Sequence, residues 1–174
     1  MKLSVLWRGL AGHPLHPPLT DVTIGAYTLA TAMALLSRLG VSEENTATVW
    51  WFALVAGLVT TVPTALTGFI EWLDISRGTP LWRTATLHLT VMVSATPVFA
   101  IAAGAGHADY VDGVVGGGSL ILTLIGYAVM ALGGFLGGSL VFVHGMRVLN
   151  LVDEPTRRAV APIETPEKEE AEGS

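Results

Sequence analysis

Polar positions along this chain are bunched, and the stretches between them are long and apolar. Four such stretches approach or exceed the roughly 20 residues a helix needs to cross about 30 Å of hydrocarbon. They run over about residues 19–39, 46–70, 81–104 and 119–146. The first is the most diluted, opened by Asp21 and interrupted by Thr20, Thr23, Thr28 and Thr31. The last belongs to a charge-free stretch from Gly113 to Gly145. At about 1.5 Å per residue, Ser119 to His144 would cover about 39 Å, so this span should tilt or project. The pattern predicts an all-α bundle of four transmembrane helices with short loops, which make successive spans antiparallel neighbours. Gly40 turns the first loop and Asn45 is placed to cap the second helix. Gly78 and Pro80 break the second loop, and the Gly116–Gly118 run ends the third before a Ser119 cap. No internal repeat of 20–50 residues stands out.

Composition agrees with this pattern. Of 174 residues, 51% are hydrophobic and 13% charged, with mean hydropathy +0.59. That charged share is about half the usual one for a soluble domain, which argues against an ordinary soluble or disordered chain. The net charge of -5 is concentrated at the C-terminus. Residues 153–174 carry seven acids against Arg157, Arg158 and Lys168, so this acidic, proline-containing tail should be disordered. No basic surface exists for nucleic acid. The absence of cysteine excludes thiolate metal sites, iron–sulfur ligation and cysteine nucleophiles. Lys2, Arg8, Arg77, Arg83, Arg147, Arg157, Arg158 and Lys168 fall on one side of a four-span bundle, and Arg38 alone on the other. This asymmetry places both termini in the cytoplasm. Residues 1–18 read as an N-terminal interfacial segment, because the apolar run Leu3–Trp7 is too short for a signal core and Arg8 interrupts it.

Ionisable residues inside a membrane are costly and point to function. Glu71 ends the second span, with Thr67, Thr64, Thr60 and Gly57 on its face; Pro63 beside them favours a kink. His144 ends the fourth span in line with Gly137, Gly133 and Gly126. Such glycines serve helix contact or leave a groove for a flat cofactor. His88 shares its face with Thr84, Ala95, Phe99 and Gly106. Upstream of the first span, Pro14, Pro17 and Pro18 push His13 and His16 towards polyproline conformation, and Asp21 or Thr20 should cap the helix that follows. The topology gathers His13, His16, Asp21, Glu71, Asp74, His88 and His144 at the cytoplasmic end, leaving only His107 on the other side. A polar site there is expected.

Three blocks match a known family. The run GHPLHPPLTDVTIGAY at Gly12–Tyr27, the pattern Pro-x3-Thr-Gly-x2-Glu-Trp at Pro63–Trp72 and GGFLGGSLVFVHGMRV at Gly133–Val148 resemble the bacterial membrane-domain family catalogued as domain of unknown function 2231. The likeness covers about residues 10–150. It implies a four-span helical domain in the bacterial cytoplasmic membrane. Some members are joined to Rieske-type or cytochrome-like domains, which hints at electron transfer. Two positions depart from the family, Ser139 replacing a common His and Thr23 a common Pro; the first leaves His144 as the fourth span's only imidazole.

Three functions compete. The leading expectation is haem b held between facing helices, with His88 and His144 as axial ligands, or His13 or His16 replacing one of them. The second is zinc or iron bound by some of His13, His16, Glu71, His88 and His144, with Asp21 or Asp74 orienting or capping. The third is non-catalytic: an accessory or assembly subunit of a membrane complex, or partner of a redox protein, whose polar cluster fixes helix register. A homo-oligomer through the Gly133/Gly137 face is compatible with each. No nucleotide-binding fingerprint or nucleophile with an obvious base is present.

Overall fold

The computed structural model describes residues 14–146. His13, with the rest of the segment upstream of residue 14, and the acidic tail lie outside the described residues. Five helices follow one another: α1 His16–Arg38, α2 Glu43–Leu73, α3 Pro80–Ala105, the short α4 His107–Asp112, and α5 Gly117–Phe142. There is no strand among the described residues. The four long helices are each long and apolar enough to span a membrane.

Helix ends differ from expectation for local reasons. α1 begins at His16, because Pro17 and Pro18 fit a first turn, where a missing N–H breaks no helical bond. His16 is therefore helical rather than part of a polyproline arm. Neither Asp21 nor Thr20 caps this helix: Asp21 is exposed in its second turn, and Thr20 Oγ1 donates to the His16 carbonyl at 2.9 Å. α2 starts at Glu43 after Ser42, whose φ of 47° reverses the chain. Asn45 lies inside α2 and donates from Nδ2 to Ser42 Oγ at 2.9 Å instead of capping. α2 continues through Pro63 as one helix to Leu73. α3 opens with a true cap, Thr79 Oγ1 accepting from Trp82 N at 3.1 Å, with Pro80 next. The helix α4 was not legible in the sequence. It is closed by Gly113 at φ 75°, and its Asp109 carboxylate accepts from Gly116 N at 2.8 Å. α5 starts at Gly117, so Ser119 is a buried residue of the helix and not its cap. It stops at Phe142, short of 146, and Gly145 turns the chain at φ 63°.

The bundle is assembled from two hairpins. α1 packs most extensively on α2, and α3 on α5, with lesser contacts of α2 on α3 and α1 on α5. Each hairpin closes over a glycine. A Cβ at Gly57 would sit 2.5 Å from Tyr27 Cε1, and one at Gly126 would sit 2.8 Å from Phe99 Cε1. The two rings seated in these notches stack on each other, centroids 3.8 Å apart and planes 5° from parallel. Beyond the stack, towards α4, lies a solid core of Trp50, Leu54, Ala30, Ala34, Ala102 and Val115. Trp50 Nε1 donates to Thr123 Oγ1 at 3.1 Å, and Trp51 Nε1 to the Ala103 carbonyl at 2.9 Å. The outer surface carries exposed Val59, Val62, Leu66, Leu132 and Phe135, an apolar exterior suited to lipid.

Filling the glycine notches should overpack the stack. Gly57→Ala and Gly126→Ala are each expected to destabilise the bundle by about 1–3 kcal/mol. Gly25, with nothing near its Cβ direction, should instead accept Ala with a gain of about 0.5–1 kcal/mol. Denaturant unfolding in detergent, followed by far-ultraviolet circular dichroism, checks all three.

Candidate functional site

The Tyr27–Phe99 stack divides the bundle. On the side where α1 and α3 begin, the helices leave a cavity of about 780 Å³. His16, Asp21, Glu71 and His88 line it, together with Tyr27 and Phe99. His16 and His88 each precede their aromatic by eleven residues. At about 1.5 Å per residue, both imidazoles stand about 16 Å along the helix from the stack, at matching depth.

Each imidazole is fixed by the neighbouring helix of its own hairpin. His16 Nδ1 lies 3.0 Å from the Thr64 carbonyl oxygen, with Thr67 Oγ1 further off at 3.4 Å. His88 Nδ1 lies 2.8 Å from the Gly133 carbonyl oxygen. A carbonyl only accepts, so Nδ1 carries the proton in both rings and donates it. The proton-free nitrogen of each neutral ring is then Nε2, the lone pair that binds metals. Glycine again makes the space: a Cβ at Gly68 would lie 2.6 Å from His16 Cε1, and one at Gly137 would lie 3.0 Å from His88 Cε1.

The two sides of the cavity differ in polarity. Between α1 and α2 runs a hydroxyl ladder, Thr23 Oγ1 lying 3.1 Å from Thr60 Oγ1 and 3.0 Å from Thr64 Oγ1, with Tyr27 Oη 2.9 Å from Thr61 Oγ1. Most of these threonines also give their protons to a backbone carbonyl one turn back: Thr23 to Leu19, Thr61 to Gly57 and Thr64 to Thr60. What they turn to the cavity is mainly acceptor capacity. Glu71, buried at 7% exposure, adds a carboxyl at the same wall. The α3–α5 side is mainly apolar, with Met92, Ala95, Met130 and Leu140 beside Thr96, whose hydroxyl donates to the Met92 carbonyl.

The remaining candidates fall elsewhere. His144 lies beyond the end of α5 and does not line the cavity; its Nε2 stands 2.9 Å from Thr84 Oγ1, tying the segment after α5 to α3. Asp74 is the exposed residue that follows α2. The glycine groove on α5 does not lead to His144. Gly126 receives Phe99, Gly133 is packed against Met92 and Gly137 receives His88, so these glycines admit side chains of α3. The reason is that α5 ends before His144, and the helical period that aligned them stops with it. Among the described residues no group of three or more His, Cys, Asp or Glu is gathered as metal ligands. Sequence reading overlooked Gly68 and the Tyr27–Phe99 floor. The signal present was a repeated spacing, His to aromatic by eleven residues in α1 and in α3.

Removing His88 deletes its bond to the Gly133 carbonyl and empties the seat of a half-buried ring inside the bundle, whereas His144 is tied only to a hydroxyl near the helix end. His88→Ala is therefore expected to cost about 1–3 kcal/mol, and His144→Ala about 0.5–1 kcal/mol, the usual worth of an interhelical bond in a membrane bundle. Paired unfolding curves in detergent measure the difference.

Residues 12–150 match the sequence profile of a family described as "Predicted membrane protein (DUF2231)". No curated protein matches the chain, and no solved structure does.

Proposed function

The chain belongs to the DUF2231 family of predicted membrane proteins, and from that premise we propose that it is a haem b-binding electron-transfer component of the membrane, in which His16 and His88 would hold the haem. The observation that carries the reading is the pair of imidazoles lining one cavity, each with Nδ1–H donated to a carbonyl and Nε2 left as acceptor. Metal-bound histidines are usually held this way, because the second hydrogen bond fixes the ring and raises its basicity. Two imidazoles are a donor set that would hold haem iron, and the cavity has two. A four-coordinate zinc site needs three or four protein ligands, and the described residues assemble no such group. A volume of about 780 Å³ lies in the range of small-molecule and cofactor sites, about 300–1,000 Å³. His144, bonded to Thr84 outside the cavity, drops out as a ligand in this reading.

Bound haem would supply one-electron chemistry. The chain's own residues hold it and exclude water. The stacked rings of Tyr27 and Phe99 close the cavity towards the bundle core. The apolar α3–α5 wall excludes water from one face, and the threonine and Glu71 wall gives the other face polar partners. The Lys and Arg asymmetry supports a cytoplasmic mouth in a bacterial plasma membrane. A soluble redox protein or a larger membrane complex would then exchange electrons at that side.

Protein purified in detergent from haem-replete cells should show a Soret band that shifts and sharpens on dithionite reduction, with a six-coordinate low-spin spectrum. His16→Ala and His88→Ala should each abolish the low-spin spectrum, while His144→Ala keeps it. A wild-type protein without Soret absorbance overturns the reading.

A further inference from the structure

The two hairpins correspond residue by residue. A shift of 72 residues carries His16 onto His88, Tyr27 onto Phe99 and Ala30 onto Ala102. The same shift carries the buried Thr23 and Thr31 of α1 onto the buried Ala95 and Ala103 of α3. On the partner helices, a shift of 69 residues carries Gly57 onto Gly126, Thr64 onto Gly133 and Gly68 onto Gly137. These pairs do the same work. Gly57 and Gly126 each receive the aromatic ring, the carbonyls of Thr64 and Gly133 each accept from a histidine Nδ1, and Gly68 and Gly137 each lie under that imidazole. Tyr27 and Phe99 then meet face to face, as equivalent residues do beside a twofold axis. Hairpins of the same direction related this way are parallel repeats about an axis along the membrane normal.

We propose that the bundle is a duplicated helical hairpin, and that each copy carries the same imidazole seat, a carbonyl and, one turn on, a glycine of the second helix, making Gly68 and Gly137 positioning residues of a two-histidine site that holds its ligand across the axis. The seat works through two constraints at once. The carbonyl accepts a hydrogen bond from Nδ1–H and so fixes the tautomer. The glycine removes the one side-chain atom that would push the ring off that carbonyl. The copies have diverged around this constant part. Thr23, Thr61 and Glu71 of one hairpin correspond to Ala95, Met130 and Leu140 of the other, and all six line the cavity. The ligand therefore meets two equivalent nitrogens but one polar and one apolar wall, which fixes which way round it lies. A flat ring system with a coordinating metal at its centre and polar groups along one edge satisfies this arrangement. That identification of the ligand rests on the haem reading above; the seats do not.

The experiment uses the full chain in detergent micelles with ¹⁵N-labelled histidine, and haemin as the probe. Long-range ¹H–¹⁵N correlation spectra of the haem-free wild type should show His16 and His88 both as the Nδ1–H tautomer. Gly68→Ala should disturb the His16 pattern and leave His88 alone, and Gly137→Ala should do the reverse. Each should also weaken haemin binding by about 10–100-fold, the usual effect of losing a group that orients a ligand. Gly25→Ala should change neither. An Nε2–H tautomer at either histidine in the wild type overturns the proposal, and needs no variant to fold. So does a folded Gly68→Ala protein whose His16 pattern is unchanged. Expected tautomers with no haemin binding by the wild type would support the seats and count against haem alone.

Discussion

The stack of Tyr27 on Phe99 is the contact around which this bundle is organised. Two rings can meet at 3.8 Å in the middle of four helices only if the helices behind them give way. Gly57 and Gly126 do so, each lacking the Cβ that would strike a ring. Within a membrane this matters more than in water, because lipid tails compete with apolar side chains and association relies on close packing of small residues. The stack also has a consequence beyond stability. On its α4 side, Trp50, Leu54 and small alanines fill the centre. On the other side the same helices, held apart by the rings, leave a space that nothing in the packing fills.

That space is polar on one wall for a reason that lies in the sequence. α2 carries threonine at 60, 61, 64 and 67 and Glu71. In hydrocarbon such residues must face protein, and the threonines face α1, where Thr23, Tyr27 and His16 share hydrogen bonds with them. α5 has valine, methionine, glycine and leucine at the corresponding places and takes up the bond of one histidine, through its backbone. A hydrogen bond from a ring nitrogen to a backbone carbonyl does not depend on the side chain that follows the carbonyl. The anchoring of His16 on Thr64 and of His88 on Gly133 could thus stay constant while everything around it changed.

Much of the fold was legible because a bilayer imposes a length on every span. Four runs of about 20 or more apolar residues, separated by glycine, proline and charge, point to four helices whatever their packing. Their ends were less legible. Pro14, Pro17 and Pro18 predict extended chain at His13 and His16, yet Pro17 and Pro18 fit a helix's first turn and His16 is helical; Asp21, Asn45 and Ser119, expected as caps, lie inside helices. The short α4 has too few residues to carry a period. The stripe of Thr60, Thr64, Thr67 and Glu71 was visible, because helical period alone puts those residues on one face. The alignment of Gly126, Gly133 and Gly137 with His144 holds only if the helix continues past Phe142, where α5 ends, and the glycines serve Phe99, Met92 and His88 instead. The duplication leaves no repeat at 20–50 residues, since its shift is 72 residues in one helix and 69 in the other, and little besides histidine, glycine and alanine is identical.

What joins these observations is one claim, that the two halves of the chain present matched imidazoles to a single ligand. Pulsed electron paramagnetic resonance of the ¹⁵N-histidine protein after addition of haemin reads this at the added iron. The account predicts a low-spin signal with hyperfine coupling from two closely similar imidazole nitrogens. A high-spin signal, or coupling from a single histidine, would contradict it.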